Sequence, residues 1–249
     1  MAAESSEPEV IYHLATTRAD PATTMQVNVD GLDHLLEATR RIDYERFVVA
    51  SSSLVYGKRD RPLAEDCEIR PAEFFGESKA SAEALAQEFA RSTEKPIAIL
   101  RLFSVYGDWE DPARLISTAI LAALTGSPMR LTSPGLRRDL VFVHDVAEAL
   151  CLAAGNASIA PGDVINVGSG VQTANEDTVR MIEEACGEKI TIVGTDYPPR
   201  RTDKPHWVAD TSKAERILGW KARTPVREGI VKTVEWMRGH LAAVEAVAR

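Results

Sequence analysis

Three short apolar runs, separated by segments with helical periodicity, constrain the fold of this chain most. The runs are EVIYHLA (residues 9–15), RFVVASSS (46–53) and IAILRLFSVYG (97–107), and β-branched residues are frequent in them. Such runs are typical of strands buried on both faces of a sheet. Residues 23–41 and 76–93, which lie between the runs, place apolar side chains at helical spacing. The alternation predicts a parallel sheet with crossover helices.

The second half of the chain is less regular. Its apolar patterns predict a strand that runs into a helix, a strand with a turn, and four further helices. In chain order these segments are residues 114–126 (helix), 138–154 (strand and helix), 164–170 (strand and turn), 175–187, 211–220 and 226–244 (helices).

Net charge and the arrangement of the cysteines limit the kinds of ligand and partner that we expect this chain to bind. The formal net charge is −8, which argues against broad binding to nucleic acid or to anionic membranes, since both require a cationic surface. The three cysteines are scattered and form neither a metal-ligand cluster nor a disulfide framework. No apolar run is long enough to span a bilayer, and the N-terminus has no apolar signal core. We therefore expect a cytoplasmic protein without a bound metal, a nucleic-acid partner or a membrane partner.

Eight short motifs occur in the order in which one known family carries them. The chain resembles the extended short-chain dehydrogenase/reductase family, in its NAD-dependent epimerase/dehydratase branch, over nearly its whole length. The motifs are HLA (13–15), NVDG (28–31), SSSLVYG (51–57), GESK (76–79), RLFSVYG (101–107), RDLVFVHDVAEA (138–149), INVGSG (165–170) and ADTSKAERILGW (209–220).

This resemblance implies an α/β fold. We predict a truncated Rossmann-like parallel sheet with flanking helices, followed by a smaller C-terminal substrate-binding lobe. Residues 1–110 would form the partial Rossmann-like domain, and residues 111–249 a mixed region dominated by the lobe.

The first departure from the family concerns its coenzyme turn. The family begins with a strand, a glycine-rich turn and a helix that bind the NAD pyrophosphate, whereas no glycine precedes Gly31 here. Roughly 60 residues, about two strand–helix units, are absent by comparison. A fragment or misplaced start is one explanation; the polar start MAAESSEP favours a naturally short protein. We therefore expect no cofactor for this chain alone, NAD(P) only if the missing half is supplied, and vestigial cofactor positions at His13, Ala15 and Asn28.

The second departure is Phe75. In the family, a Tyr-x-x-x-Lys pair moves a hydroxyl proton while NAD takes the hydride, and the lysine lowers the tyrosine pKa. Here Phe75 stands at the tyrosine position and Lys79 at the lysine position. A phenyl ring has no proton to give. The resemblance thus leaves Lys79 without its usual partner and gives Phe75 a role in shaping the pocket.

The remaining catalytic candidates also follow from the resemblance. Ser52 falls at the position of the catalytic serine or threonine, although a strand-end serine can simply satisfy loop backbone. Lys79 is interpreted as a pocket base, as an anion clamp, or as a lysine that reaches solvent along the helix. Leu54 stands where 4,6-dehydratases carry an acidic residue, which argues against their mechanism.

Three further residues near these positions carry groups that exchange protons. Glu77 is a minor catalytic candidate and more commonly a solvated helix charge. Tyr56 and Tyr106 could replace the missing acid, although both residue types are more often core tyrosines with a satisfied hydroxyl.

The expected substrate-binding residues are Ser104, Arg138 and Arg200. The two arginines match positions that hold the diphosphate of nucleotide sugars, a task suited to the bidentate guanidinium. Ser104 replaces the usual asparagine after RLF, which leaves the substrate class open. Arg138 could instead form a structural ion pair with Asp139.

Three functions remain open. We favour a non-redox isomerase, cyclase or lyase-type step on a sugar nucleotide or a secondary metabolite. The alternatives are an NAD-dependent sugar-nucleotide epimerase/dehydratase, seen as a fragment or completed by a partner chain that covers the truncated sheet, and a non-catalytic binding or scaffold subunit. We also expect a homodimer through the helices around residues 31–41 and 77–91, as implied by the family.

Overall fold

The computed structural model describes residues 9–57, 60–131, 135–194 and 206–248 of the chain. The strands are β1 (Val10–His13), β2 (Arg46–Ser52), β3 (Ile97–Leu102), β4 (Ser104–Tyr106), β5 (Met129–Arg130), β6 (Arg137–Phe142), β7 (Asp163–Val167), β8 (Gln172–Ala174) and β9 (Ile192–Gly194). The helices are α1 (Pro21–Met25), α2 (Gly31–Thr39), α3 (Phe74–Thr93), α4 (Leu115–Thr125), α5 (Val143–Gly155), α6 (Asn175–Cys186), α7 (Ser212–Leu218) and α8 (Val226–Ala248).

The main sheet has four parallel strands in the order β1-β2-β3-β7. The predicted alternation is therefore confirmed, and the fold is α/β with flanking helices. The fourth strand, β7, comes from the second half of the chain and pairs with β3 from Ala98↔Asp163 to Leu102↔Val167. The predicted division of the chain at residue 110 stays a prediction.

The strands β2, β3 and β7 are buried on both faces, as their apolar runs require, whereas Tyr12 on β1 is exposed. Strand residues that point to one face, such as Phe47 and Ile99, pack against α2 and α3. Residues that point to the other face, such as Val48 and Leu100, pack with α5 and with Trp220 beyond α7. The period-two alternation of a strand thus supplies a separate core to each layer of helices.

The helix predicted over residues 23–41 is interrupted. Asp20 caps the start of α1 by accepting the backbone amides of Ala22 and Thr23, and Pro21 occupies the first turn. Between α1 and α2 lies a π-helical turn, Gln26–Asp30, which contains the buried side chain of Asn28. Such turns widen a helix locally and are frequent at functional sites.

A second, mainly helical layer follows the sheet. Its strands form a three-stranded sheet in the order β4-β6-β8 and a two-stranded pair of β5 and β9. A hydrophobic core shared by α4, α6 and α8 includes Ile116, Ile120, Ile182 and Ile230. In the described parts of the chain, no helix combines the length and hydropathy needed to cross a bilayer.

The close contact between Gly229 in α8 and Tyr106 generates a prediction about stability. A Cβ added to Gly229 would lie 2.8 Å from Cζ of Tyr106 and closer still to its hydroxyl. We expect Gly229→Ala to lower the free energy of unfolding by about 1–3 kcal/mol, because the buried ring has to shift. Urea denaturation measures this change.

Gly239 supplies a matched control in the same helix, because no atom lies within 4 Å of its Cβ position. Gly239→Ala should change stability by no more than about 1 kcal/mol, in the stabilising direction. Equal effects of the two substitutions would contradict the proposed packing.

Candidate active site

The carboxyl ends of the four parallel strands meet at one edge of the main sheet. They end at His13, Ser52, Leu102 and Val167. In open parallel α/β sheets, ligands bind in the crevice outside these ends. The first turns of α3 lie close to this edge, so Phe75 and Lys79 belong to the candidate site.

Lys79 extends into the protein rather than along the helix to solvent. Its residue surface is 6% exposed, and Nζ donates a hydrogen bond of 2.9 Å to the carbonyl oxygen of Ala50 on β2. Among the described residues it has no other hydrogen-bond partner, so two of its three N–H groups are unused. Burial lowers the pKa of Lys79 to about 8; Glu83 opposes this effect and Arg18 adds to it.

Two cations lie near the buried ring of Phe75. The guanidinium carbon of Arg18 is 4.0 Å from the ring centroid, and Nζ of Lys79 is 5.9 Å from it. Both distances lie within the range of a cation–π interaction. The position that carries a tyrosine hydroxyl in the resembled family is therefore occupied here by an aromatic ring between two positive charges.

Asn28 fastens the loop after β1 to the start of α3. Its Oδ1 accepts the Thr17 amide at 3.0 Å and the Thr16 hydroxyl at 3.1 Å. Its Nδ2 donates to the Thr17 carbonyl at 3.2 Å and to the Ser78 hydroxyl at 3.0 Å, and Ser78 in turn donates to the carbonyl of Phe75. We conclude that Asn28 positions the loop that carries Arg18.

A buried polar network lies behind Lys79. Nη2 of Arg101 donates to Oε2 of Glu83 at 2.7 Å, and Ser51 also donates to Glu83. The Tyr56 hydroxyl accepts from Arg101 at 2.8 Å and donates to Asn166 at 2.7 Å. Burial raises the pKa of Tyr56 to about 12. Tyr56 is therefore a satisfied core residue, and its assignment as a replacement acid is wrong.

The surroundings of three other candidates indicate what each side chain does in the fold. Tyr106 is buried and its hydroxyl donates to the carbonyl of Val226 at 3.3 Å, while burial raises its pKa, so it is also a core tyrosine. Glu77 is exposed on α3 away from the sheet, which argues against the catalytic role we gave it. The half-buried Ser52 caps the short 3₁₀ turn that follows β2, with Oγ accepting the Leu54 amide at 3.2 Å.

The structure describes two of the three predicted substrate residues. Ser104 begins β4 and Arg138 lies on β6, both in the three-stranded sheet. Asp139 accepts backbone amides of residues 169, 170 and 209. Arg200 lies outside the described residues. A common pocket that joins Ser52, Phe75 and Lys79 to either arginine therefore stays a prediction.

The sequence analysis missed Arg18 and the pair formed by Glu83 and Arg101. Glu83 lies four residues after Lys79, on the same face of α3, and this spacing could have identified it. Nothing in the sequence signals the contact of Arg18 with Phe75, because it joins residues that are distant in the chain.

The site fits one end of a dinucleotide. Lys79 has two free N–H groups, His13 is buried beside the same edge, and residues 14–16 are exposed. Burial and Lys79 lower the pKa of His13. No glycine occurs between residues 9 and 30. Within these same residues, no group of three or more His, Cys, Asp or Glu side chains is placed to hold a metal.

Comparison with known proteins gives consistent matches. The model of a family described as the NAD dependent epimerase/dehydratase family matches residues 1–168. UDP-glucose 4-epimerase of Mycolicibacterium smegmatis is 32% identical over 244 residues, which are 93% of this chain and 77% of that protein. An uncharacterized UDP-glucose epimerase, YtcB of Bacillus subtilis, is 28% identical over 214 residues; the match covers 84% of this chain and 66% of that protein.

Solved structures agree in fold. MoeE5 in complex with UDP-glucose and NAD has a TM-score of 0.87 and 34% identity, over 94% of this chain and 80% of that one. A tyrosine-to-phenylalanine mutant of UDP-glucuronic acid 4-epimerase from Bacillus cereus has a TM-score of 0.86 and 26% identity, over 93% of this chain and 76% of that one. That structure holds UDP-4-deoxy-4-fluoro-glucuronic acid and NAD.

Two predictions change as a result. Because this chain spans most of two structures that contain NAD, the prediction that it takes no cofactor by itself is wrong. The non-redox step that we favoured finds no support among these relatives, which instead favour the alternative of an NAD-dependent sugar-nucleotide epimerase or dehydratase. The absence of the coenzyme turn and of the tyrosine function stays an interpretation of the sequence.

The buried ammonium of Lys79 generates a prediction about pH. Its pKa is about 8 in the folded chain against an ordinary 10.5, so the unfolded chain binds more protons between these values. Stability then rises with pH across this window: the unfavourable contribution is complete below about pH 8 and is lost as the pH approaches 10.5. Relative to Lys79→Met, the wild-type free energy of unfolding should rise by about 3 kcal/mol.

Urea denaturation of both proteins at several pH values measures this difference. Lys95→Met is the control, because Lys95 also donates to a backbone carbonyl, that of Ile42, and lies 5.2 Å from the Tyr44 ring centroid. The assignment would be contradicted if the difference in free energy of unfolding between the wild type and Lys79→Met stayed constant with pH. An equal rise of the corresponding difference for Lys95→Met would also contradict it.

Proposed function

This chain belongs to the NAD dependent epimerase/dehydratase family, and from that premise we propose that it binds NAD and a nucleoside-diphosphate sugar. We propose that it epimerises or dehydrates the sugar through transient oxidation of a hydroxyl group. The observation that carries this proposal is the likeness to MoeE5, which was solved with UDP-glucose and NAD and matches 94% of this chain.

The described residues suggest how the ligands would be held. Lys79 would donate one N–H group to the ring end of the dinucleotide, and His13 would line the same edge of the sheet. Ser52 would orient the reacting oxygen of the sugar, and Phe75 would form an apolar wall beside it. When bound, the nicotinamide would supply the reversible acceptance of a hydride from the sugar carbon.

Phe75 is compatible with ligand binding in this proposal. A relative in which a tyrosine is replaced by phenylalanine was solved with a sugar-nucleotide analogue and NAD bound. A hydroxyl that takes part in proton transfer contributes to the rate, and its loss need not abolish binding of either ligand.

Calorimetry with NAD and with UDP-glucose, UDP-glucuronic acid and dTDP-D-glucose tests the proposal. We expect NAD and at least one sugar nucleotide to bind, and each ligand at a hundred times its dissociation constant should stabilise the fold by about 2.7 kcal/mol. Product analysis by NMR should then detect an epimer or a dehydrated sugar. Binding of neither NAD nor any of the three sugar nucleotides would contradict the proposed function.

We also propose that the chain forms a homodimer through α2 and α3. The exposed face of α3 carries small side chains, Ser81 and Ala84, between Glu77 and Glu88, so another helix could approach closely. In a dimer of this kind Glu77 would border the contact between the subunits.

Light scattering tests this assembly. The wild-type chain should be a dimer, and Ala84→Arg should give a monomer because the long charged side chain prevents close approach of the helices. Ala242→Arg, at an exposed alanine of α8, is the matched control and should leave the mass unchanged. A monomeric wild-type chain at high concentration would contradict the dimer.

A further inference from the structure

Phe75 stands where the resembled family carries a tyrosine, so the candidate site has no proton acceptor at that position. Oxidation of a sugar hydroxyl releases a proton, which a group within hydrogen-bond reach must accept. Phe75 has no group that can accept or give a proton. If the proposed function holds, another side chain at the carboxyl edge of the main sheet has to do so.

We propose that Nζ of Lys79 is itself the general base and general acid of this site, acting directly on the sugar hydroxyl. This inference rests on the proposed function and assigns to the lysine the proton transfer that the resembled family assigns to its tyrosine. Lys79 thereby becomes a catalytic residue rather than a residue that tunes a neighbour.

The geometry around Lys79 supports this role. Its Nζ lies 5.9 Å from the centroid of the Phe75 ring, which stands at the tyrosine position of the resembled family. The one hydrogen bond that the described residues give it, to the carbonyl of Ala50, holds the side chain in place. In the neutral amine this leaves one N–H group and the lone pair for ligands. An ammonium that is buried but only partly satisfied is costly to keep charged, so the neutral amine becomes accessible.

Burial, rather than the charges around Lys79, favours loss of its proton. On its own helix Glu83 stabilises the ammonium, but the oxygens of Glu83 already accept hydrogen bonds from Arg101 on β3 and from Ser51 on β2. Arg18, on the loop after β1, opposes a second positive charge. His13, at the end of β1, has a lowered pKa of its own, caused by burial and then by Lys79. Burial is the largest influence on Lys79, Glu83 opposes it and Arg18 adds to it, and the pKa of Lys79 is about 8 as a result.

The proton balance of the step is simple. The O–H bond of the sugar hydroxyl breaks and an N–H bond forms at the neutral Nζ, which becomes an ammonium. The electron pair of the adjacent C–H bond would leave as hydride, which a bound nicotinamide would accept under the proposed function, so that the alcohol would become a ketone. When the hydroxyl forms again, the ammonium returns the proton to its oxygen.

Other proton carriers near this edge fit the role less well. The hydroxyl of Tyr56 is engaged by Arg101 and Asn166, and that of Tyr106 is engaged by Val226 in the helical layer. His13 lies at the same edge, so it is the competing candidate that the experiment has to separate from Lys79.

The first arm of the experiment measures the titration of Lys79 without turnover. In two-dimensional NMR of protein labelled with ¹³C at lysine Cε, one resonance should titrate near pH 8 and disappear in Lys79→Arg. Arg18→Gln should shift that midpoint to higher pH, because it removes a nearby positive charge. A Lys79 midpoint at or above about pH 10, the ordinary range for lysine, overturns the proposal.

The second arm measures catalysis with NAD and the sugar nucleotide identified by calorimetry. Lys79→Arg keeps the charge but cannot release a proton near neutral pH, so kcat should fall by at least about 100-fold. The dissociation constants should stay within about threefold of the wild-type values, because the cation is retained. The pH dependence of wild-type kcat/KM should show a group near pH 8 that is absent from the variant.

Controls separate this inference from its alternatives. Lys95→Arg, at a lysine that also binds a backbone carbonyl beside an aromatic ring, should leave kcat unchanged. A Lys79→Arg variant that keeps nearly full kcat overturns the role of Lys79. The role is also overturned if His13→Gln lowers kcat as much as Lys79→Arg does and removes the same group from the pH dependence. A wild-type chain that turns over no sugar nucleotide defeats the proposed function, while the NMR midpoint still decides the ionisation of Lys79.

Discussion

The buried ion pair between Arg101 on β3 and Glu83 on α3 holds the helix on which the candidate site depends. Both side chains are 4% exposed, and hydrogen bonds from Ser51 and with Tyr56 complete the pair. A buried charge is tolerated only when it is paired and hydrogen-bonded, and removal of one partner typically costs about 3–5 kcal/mol. The network therefore fixes the position of α3 against β2 and β3, which in turn fixes Phe75 and Lys79.

The same network influences the chemistry that Lys79 can perform. Glu83 is the acidic neighbour of Lys79, but its oxygens already accept bonds from Arg101 and Ser51, so it only partly offsets the burial of the ammonium. Arg18 lies against the Phe75 ring and adds positive charge. Burial and this loop cation make Lys79 easier to deprotonate than a lysine in water, although Glu83 opposes them.

Several predictions failed for reasons that lie beyond local sequence. The helix expected over residues 23–41 contains a π-helical turn, because the buried Asn28 has to reach both the loop after β1 and α3. For Tyr56 and Tyr106 the sequence left two interpretations open, and the structure favours the core tyrosine, because both hydroxyls are engaged by residues far away in the chain. We expected a chain without a cofactor because we gave more weight to the missing glycine-rich turn than to the rest of the resemblance, and this was wrong.

The sequence by itself determined the parallel α/β architecture and the family, because buried strands and amphipathic helices leave periodic patterns and because eight motifs keep their order. It also identified Phe75 and Lys79 as neighbours on one helix, since a spacing of four residues defines a helical face. Only the tertiary structure decided that Lys79 points inward to Ala50 and that Arg18 covers Phe75. Those contacts join separate elements, and the burial that alters the pKa of a lysine exists only after the elements have packed together.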